Sequence, residues 1–168
     1  MSSRILVAGI GNIFLGDDAF GVETVKLLAG RALPPGVQAV DFGVRGLDLT
    51  YALLEDWQAV ILIDAAPCGG APGALYVIEP ELDEASEPAS LPLDAHAMQP
   101  DRVLRLVASL GGRVRHLLVV GCEPSPLEGY DIQSGLSPPV AAAVNEAADL
   151  VESLLAKLLM SPCDSAPR

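Results

Sequence analysis

Two runs of this chain, RILVA at residues 4–8 and AVILID at 59–64, are apolar at nearly every position instead of every second one. A strand with one wet face alternates, so an unbroken apolar run implies a strand covered on both faces. The segments between such runs carry helical spacing. Val22, Val25, Leu27, Leu28 and Ala32 make one apolar stripe, predicting a helix from Ala19 or Phe20 to Ala32 that LPPG at 33–36 stops. Short elements follow, a strand over Val37–Phe42 and a helix over Leu47–Leu54. After the strand at 59–64, the segment GALYVIE reads as a fourth strand beyond a Gly/Pro-rich turn at 67–73. A helix is predicted over Pro100–Leu110 and a fifth strand over Val114–Gly121. The last helix starts with Ser137 as N-cap and Pro138 at its first position, and Val140, Val144, Ala147, Val151, Leu154, Leu155 and Leu158 fill its stripe. The order βαβαββαβα predicts a three-layer α/β/α sandwich around a twisted, largely parallel or mixed sheet of about five strands. One domain spans 1–160, with a frayed tail at 161–168. Residues 79–95, rich in Glu, Asp, Pro and Ser without periodicity, read as a long surface loop.

Composition narrows the function. Ten Lys and Arg stand against 22 Asp and Glu, for a formal charge of −12, so the chain repels phosphate and shows no basic cluster for nucleic acid or an anionic membrane. No stretch approaches the ~18 apolar residues of a membrane helix. The three cysteines, Cys68, Cys122 and Cys163, are odd in number and form no C-x-x-C pair, which fits a reducing, cytoplasmic setting.

The chemistry-bearing candidates are few. GIGNIFLGDDAFG at 9–21 begins like a dinucleotide fingerprint, but Phe14 stands where a third glycine belongs and an Asp17-Asp18 pair follows. Carboxylates there repel a pyrophosphate. They suit a cation, or serve as N-cap and first-turn acids of the next helix. Asp64 ends a buried strand, where an acid is costly unless it is paired, hydrogen-bonded or on a metal. Ligands of open α/β sheets bind outside the carboxyl ends of the strands, which is where Asp64 and the 9–18 turn meet if their strands are parallel. His96 precedes the predicted helix at 100, and one imidazole with two carboxylates suits a borderline divalent metal. His116 starts a strand and takes no role. Cys68 and Cys122 read as idle thiols, with no histidine at diagnostic spacing.

With these residues in hand, the chain resembles the nickel–iron hydrogenase maturation endopeptidases. The matching stretches are ILVAGIGNIFLGDDAFGV at 5–22, DFGVRGLDLTYAL at 41–53, VILIDAA at 60–66, DAHAMQPDRVL at 94–104, VVGCEP at 119–124 and GLSPPVAAAV at 135–144. The resemblance implies a protease that removes the C-terminal extension from the nickel-loaded precursor of the [NiFe] hydrogenase large subunit, with the nickel supplied by that precursor. It also implies that Asp18, Asp64 and His96 are the nickel-binding and catalytic residues, and that the family is classed as aspartic-type. Ala19 replaces a glycine common after the acidic pair. The loop around Gly43, Arg45 and Gly46 is implied to help hold the substrate peptide. Two other readings use the same features. One is a divalent-metal-dependent amidase or peptidase with a different substrate. The other is a nucleotide-binding module cradling its ligand on residues 9–12.

Overall fold

The computed structural model describes residues 4–82, 100–126 and 135–160. His96, Cys163, the tail at 161–168 and residues 83–95 of the expected surface loop lie outside the described residues.

The elements follow the predicted order. They are β1 (Ile5–Ile10), a 3-10 helix (Gly16–Ala19), α1 (Phe20–Ala29), β2 (Val37–Gly43), α2 (Gly46–Leu53), β3 (Ala59–Ala65), β4 (Leu75–Ile78), α3 (Pro100–Ser109), β5 (Leu117–Cys122) and α4 (Pro138–Met160). The five strands form one sheet in the order β2-β1-β3-β5-β4. All neighbours are parallel except β4, which runs antiparallel to β5. The sheet is therefore mixed. Chain order hides this arrangement, because β5 enters late and fills the gap between β3 and the earlier β4.

The unbroken apolar runs have the predicted consequence: β1, β3 and β5 are buried at every position. Alternate residues feed two cores. Ile5, Val7, Ile61, Ile63, Leu118 and Val120 pack with residues of α1 and α4 such as Phe20, Leu28, Val151 and Leu155. Leu6, Ala8, Val60, Leu62 and Val119 pack on the other face with Leu49 and Leu53 of α2, Trp57, and Val103 and Val107 of α3. Each such Val, Leu, Ile or Phe side chain contributes about 1.5–3 kcal/mol on burial. That packing, and not propensity, sustains the eight residues of α2, because isolated helices under ~12 residues are marginal in water.

Some boundaries differ from the expected ones. Helix α1 stops at Ala29 because the chain tightens there, with the Gly30 N–H donating to the Leu27 carbonyl at 3.2 Å. Strand β5 begins at Leu117 instead of Val114, and Arg115 before it forms an exposed ion pair with Asp56 at 2.8 Å. Among the described residues no helix is long and apolar enough to cross a membrane.

Topology fixes where a site can sit. The chain leaves β1 through α1 to β2 on one side, then crosses through α2 on the opposite face to β3 on the other side. This reversal opens a crevice at the carboxyl ends of β1 and β3, the switch point at which α/β sheets bind ligands. Helices α1, α2 and α4 follow the carboxyl ends of β1, β2 and β5. Helix α3 leads into the amino end of β5, so its own first residue, the buried Pro100, lies toward the carboxyl edge.

Candidate active site

The turn after β1 is built around a glycine that nothing else can replace. Gly11 has φ +137°, its N–H donates to the Gly43 carbonyl at 3.1 Å, and a Cβ there would overlap the Asp18 carbonyl oxygen. The chain thus folds back on itself. The Asn12 carboxamide oxygen accepts the Phe14 N–H at 2.9 Å, while the Asn12 N–H donates to Asp18 Oδ2 at 2.8 Å. At Gly9 and Gly21, added Cβ atoms would overlap Val25 and the carbonyls of Ile63 and Ile10. These glycines are consumed by internal close approach, and the 3-10 helix separates the turn from the start of α1. A dinucleotide cradle needs that turn open onto a helix N-terminus. Ala19, buried at the end of the 3-10 helix with φ −73°, needs no glycine.

Asp64 is the next-to-last residue of β3, with 1% of its surface exposed, and the Ala65 N–H donates to its Oδ1 at 2.8 Å. Strand alternation puts it on the α2/α3 face, in series with Val60 and Leu62. The 3-10 helix carrying Asp18 packs against β3. Asp18 and Asp64 therefore both lie toward the carboxyl edge of the sheet, one in the 3-10 helix after β1 and one near the end of β3. Both carboxylates are held by backbone N–H groups, which preorganises them. Among the described residues no three His, Cys, Asp or Glu side chains gather as a metal site. The third member of the expected set, His96, lies outside the described residues.

His116 sits at the opposite, amino edge of the sheet, with Nε2 2.8 Å from Glu79 Oε1. Arg45 curls onto its own turn, its guanidinium reaching the carbonyls of Phe42 and Asp41. That turn lies beside Gly11, and exposed apolar side chains crowd the neighbourhood: Ile13, Phe14 and Leu15 before the 3-10 helix, then Val44, Leu47 and Tyr51.

Asp17, adjacent to Asp18, points elsewhere. It is 8% exposed and accepts the Ser125 N–H at 2.9 Å, the Ser137 N–H at 2.7 Å and the Ser137 hydroxyl at 2.9 Å. It is not a cap of its own helix. Ser137 keeps the N-cap backbone role, since its carbonyl accepts the Ala141 N–H at 2.8 Å, but its hydroxyl serves Asp17.

A fourth acid escaped the sequence reading. Glu123, 7% exposed just after β5, accepts the Cys68 N–H at 2.7 Å and the Tyr76 hydroxyl at 2.9 Å, tying down the turn after β3. Burial pushes its carboxyl up, but the bonds from the Cys68 N–H, the Tyr76 hydroxyl and the Gly70 and Gly69 N–H groups outweigh that and hold it below the usual range. The available signal was an acid closing an apolar strand, as at Asp64. The two thiols behave as idle. Burial, then the charges of Asp17 and Glu123, push Cys122 up to about 12, and desolvation followed by Glu123 raises Cys68.

Glu123 carries a pH prediction. Its folded value lies below the ordinary 4.5, so the stabilisation is full above that value and drains as pH falls through the folded one. Glu123→Gln is expected to be less stable than the parent at pH 7, with the gap narrowing as pH falls below about 4. Urea unfolding of both proteins across that range checks it. A gap that widens on acidification contradicts the assignment.

Comparison with known proteins places the chain and its fold among one family. A family model described as HycI, hydrogenase maturation protease, matches residues 22–154. The hydrogenase 2 maturation protease of Escherichia coli is 31% identical over 166 residues, covering 98% of this chain and 96% of that protein. The hydrogenase expression/formation protein HupD of Bradyrhizobium diazoefficiens is 34% identical over 157 residues, covering 92% and 79%. Among solved structures, the hydrogenase maturating endopeptidase HybD of E. coli superposes with a TM-score of 0.73 at 31% identity, covering 92% of this chain and 93% of that one.

Proposed function

The chain belongs to the hydrogenase maturation protease family, and from that premise we propose that it cuts the C-terminal extension from the nickel-loaded precursor of a [NiFe] hydrogenase large subunit, using Asp18, Asp64 and His96. The observation that carries the reading is the pair of carboxylates at the β1/β3 switch point, one from the 3-10 helix that follows β1 and one next to last in β3. His96 stands four residues before the buried Pro100, and four residues of extended chain reach ~14 Å. An imidazole that joins the two acids would therefore come from the α3 side.

Two carboxylates and an imidazole match a borderline cation such as nickel, which is here part of the substrate. Held by these residues, the nickel-bearing centre presents the adjoining C-terminal segment to the protease. The rest falls to the chain. The Asn12 and Ala65 N–H groups fix one oxygen of each carboxylate, so the acids need little reorganisation when the peptide arrives. If the chain acts as the aspartic-type peptidase that the resemblance implies, these two acids are its carboxylates. The Gly43–Gly46 turn, next to Gly11, borders the path of the peptide. Free Cys68 and Cys122 fit a reducing cytoplasm as the setting.

The test is a mass spectrum of a cognate large-subunit precursor incubated with the purified protein. Nickel-loaded precursor is expected to lose one C-terminal fragment, and nickel-free precursor to keep its full mass. Efficient cutting of the nickel-free form overturns recognition through nickel. A loaded precursor that stays intact overturns the substrate.

A further inference from the structure

Asp17 meets the ends of a distant stretch of chain. Ser125 follows β5 and Ser137 precedes α4, so one carboxylate holds both ends of the β5–α4 connection against the 3-10 helix. The two hydroxyls also meet, with Ser125 Oγ 2.8 Å from Ser137 Oγ. Helix α4 is made for this arrangement. It opens on Pro138 and Pro139, which bring no N–H to its first turn, so the Ser137 hydroxyl has less to cap and turns to Asp17. The positive end of that helix, 23 residues long, faces the carboxylate.

We infer that Asp17 is a positioning residue for the cleavage reaction: it anchors the 3-10 helix to Ser125 and Ser137 and thereby sets where Asp18 stands. Successive side chains of a 3-10 helix diverge by about 120°, so Asp17 faces the β5–α4 connection while Asp18 returns to Asn12. Four residues of backbone are shared. If the anchor slips, Asp18 moves with it, and Gly11, packed on the Asp18 carbonyl, passes the shift to the end of β1. The inference rests on Asp18 being one of the site acids.

An amide cannot replace this carboxylate. Oδ1 takes one N–H, and Oδ2 takes another N–H plus a hydroxyl. An Asn at this position has a single acceptor oxygen and turns its NH2 toward a donor.

The experiment measures kcat and KM for nickel-loaded precursor with Asp17→Asn, Asp18→Asn, Ser137→Ala and a stability control, Val151→Ala. Val151 is fully buried in α4, roughly 20 Å along the helix from Ser137. All variants are assayed at a temperature where circular dichroism shows them folded. Asp17→Asn is expected to lower kcat by roughly 10–100-fold with KM nearly unchanged. Val151→Ala, with a comparable loss in Tm, should keep the parental kcat. The double variant Asp17→Asn/Ser137→Ala should be no slower than Asp17→Asn alone, because both changes break one network. If Asp18→Asn is inactive but Asp17→Asn turns over like the parent, or no slower than Val151→Ala, the positioning role is overturned and the site reading stands. If Asp18→Asn is fully active, the site reading fails and takes this inference with it.

Discussion

Asp64→Asn is expected to reduce cleavage of the nickel-loaded precursor by at least two to three orders of magnitude, the scale on which losing one preorganised electrostatic group acts, while the chain stays folded. The side chain stands next to last in a fully buried strand and is 1% exposed, so its surroundings are shaped to one size. The amide preserves that size, and its carbonyl oxygen still accepts the Ala65 N–H now donated to Oδ1. What it removes is the charge that attracts a cation. Burying a carboxylate is costly in itself, so relieving the charge offsets the loss of charge-assisted bonding. The urea midpoint should correspond to a stability within about 1 kcal/mol of the parent. Mass spectrometry of the precursor and urea unfolding of the variant read the two halves separately. Parental cleavage by a folded Asp64→Asn overturns Asp64 as a site residue. A variant that fails to fold would instead make this acid a structural anchor of the Glu123 kind.

Much of the scaffold was legible because its strands are continuous apolar runs, and β1 and β3 stand out for that reason alone. The order of strands was not, since β5 sits between β3 and β4 through contacts that no local pattern encodes. Asp64 declared itself by chemistry, as an acid closing a buried strand. Glu123 carried the same signal at the end of β5, but it needs the Cys68 and Gly69 N–H groups, more than 50 residues away, to be understood as a clamp. The Asp17-Asp18 pair shows the limit most sharply. Two adjacent identical residues look equivalent in sequence, and short-range reasoning offers both a helix cap or a cation. In the fold their side chains part, Asp18 to Asn12 six residues back, Asp17 to serines 108 and 120 residues ahead. Local partners are readable from spacing, whereas distant ones exist only once the sheet has brought the β5–α4 connection beside the turn after β1.

The two histidines of this chain should separate completely in the same assay. His116 stands at the amino edge of the sheet, paired with Glu79 at 2.8 Å, on the far side from Asp18 and Asp64. It has no route to their crevice, so an imidazole at the site has to come from His96. His96→Ala is expected to abolish cleavage of nickel-loaded precursor, with a loss of at least about 100-fold, because it removes the one nitrogen donor and leaves two carboxylates, a set that suits harder cations better than nickel. His96 lies outside the apolar runs, so truncation should cost little packing. His116→Ala removes only an exposed ion pair worth about 0–1 kcal/mol and should cleave within roughly twofold of the parent. Circular dichroism on both variants establishes that each is folded before rates are compared. Full activity in folded His96→Ala overturns its assignment. With no second histidine at that edge, the site would then reduce to carboxylates alone, and nickel recognition would have to rest on the precursor's own ligands.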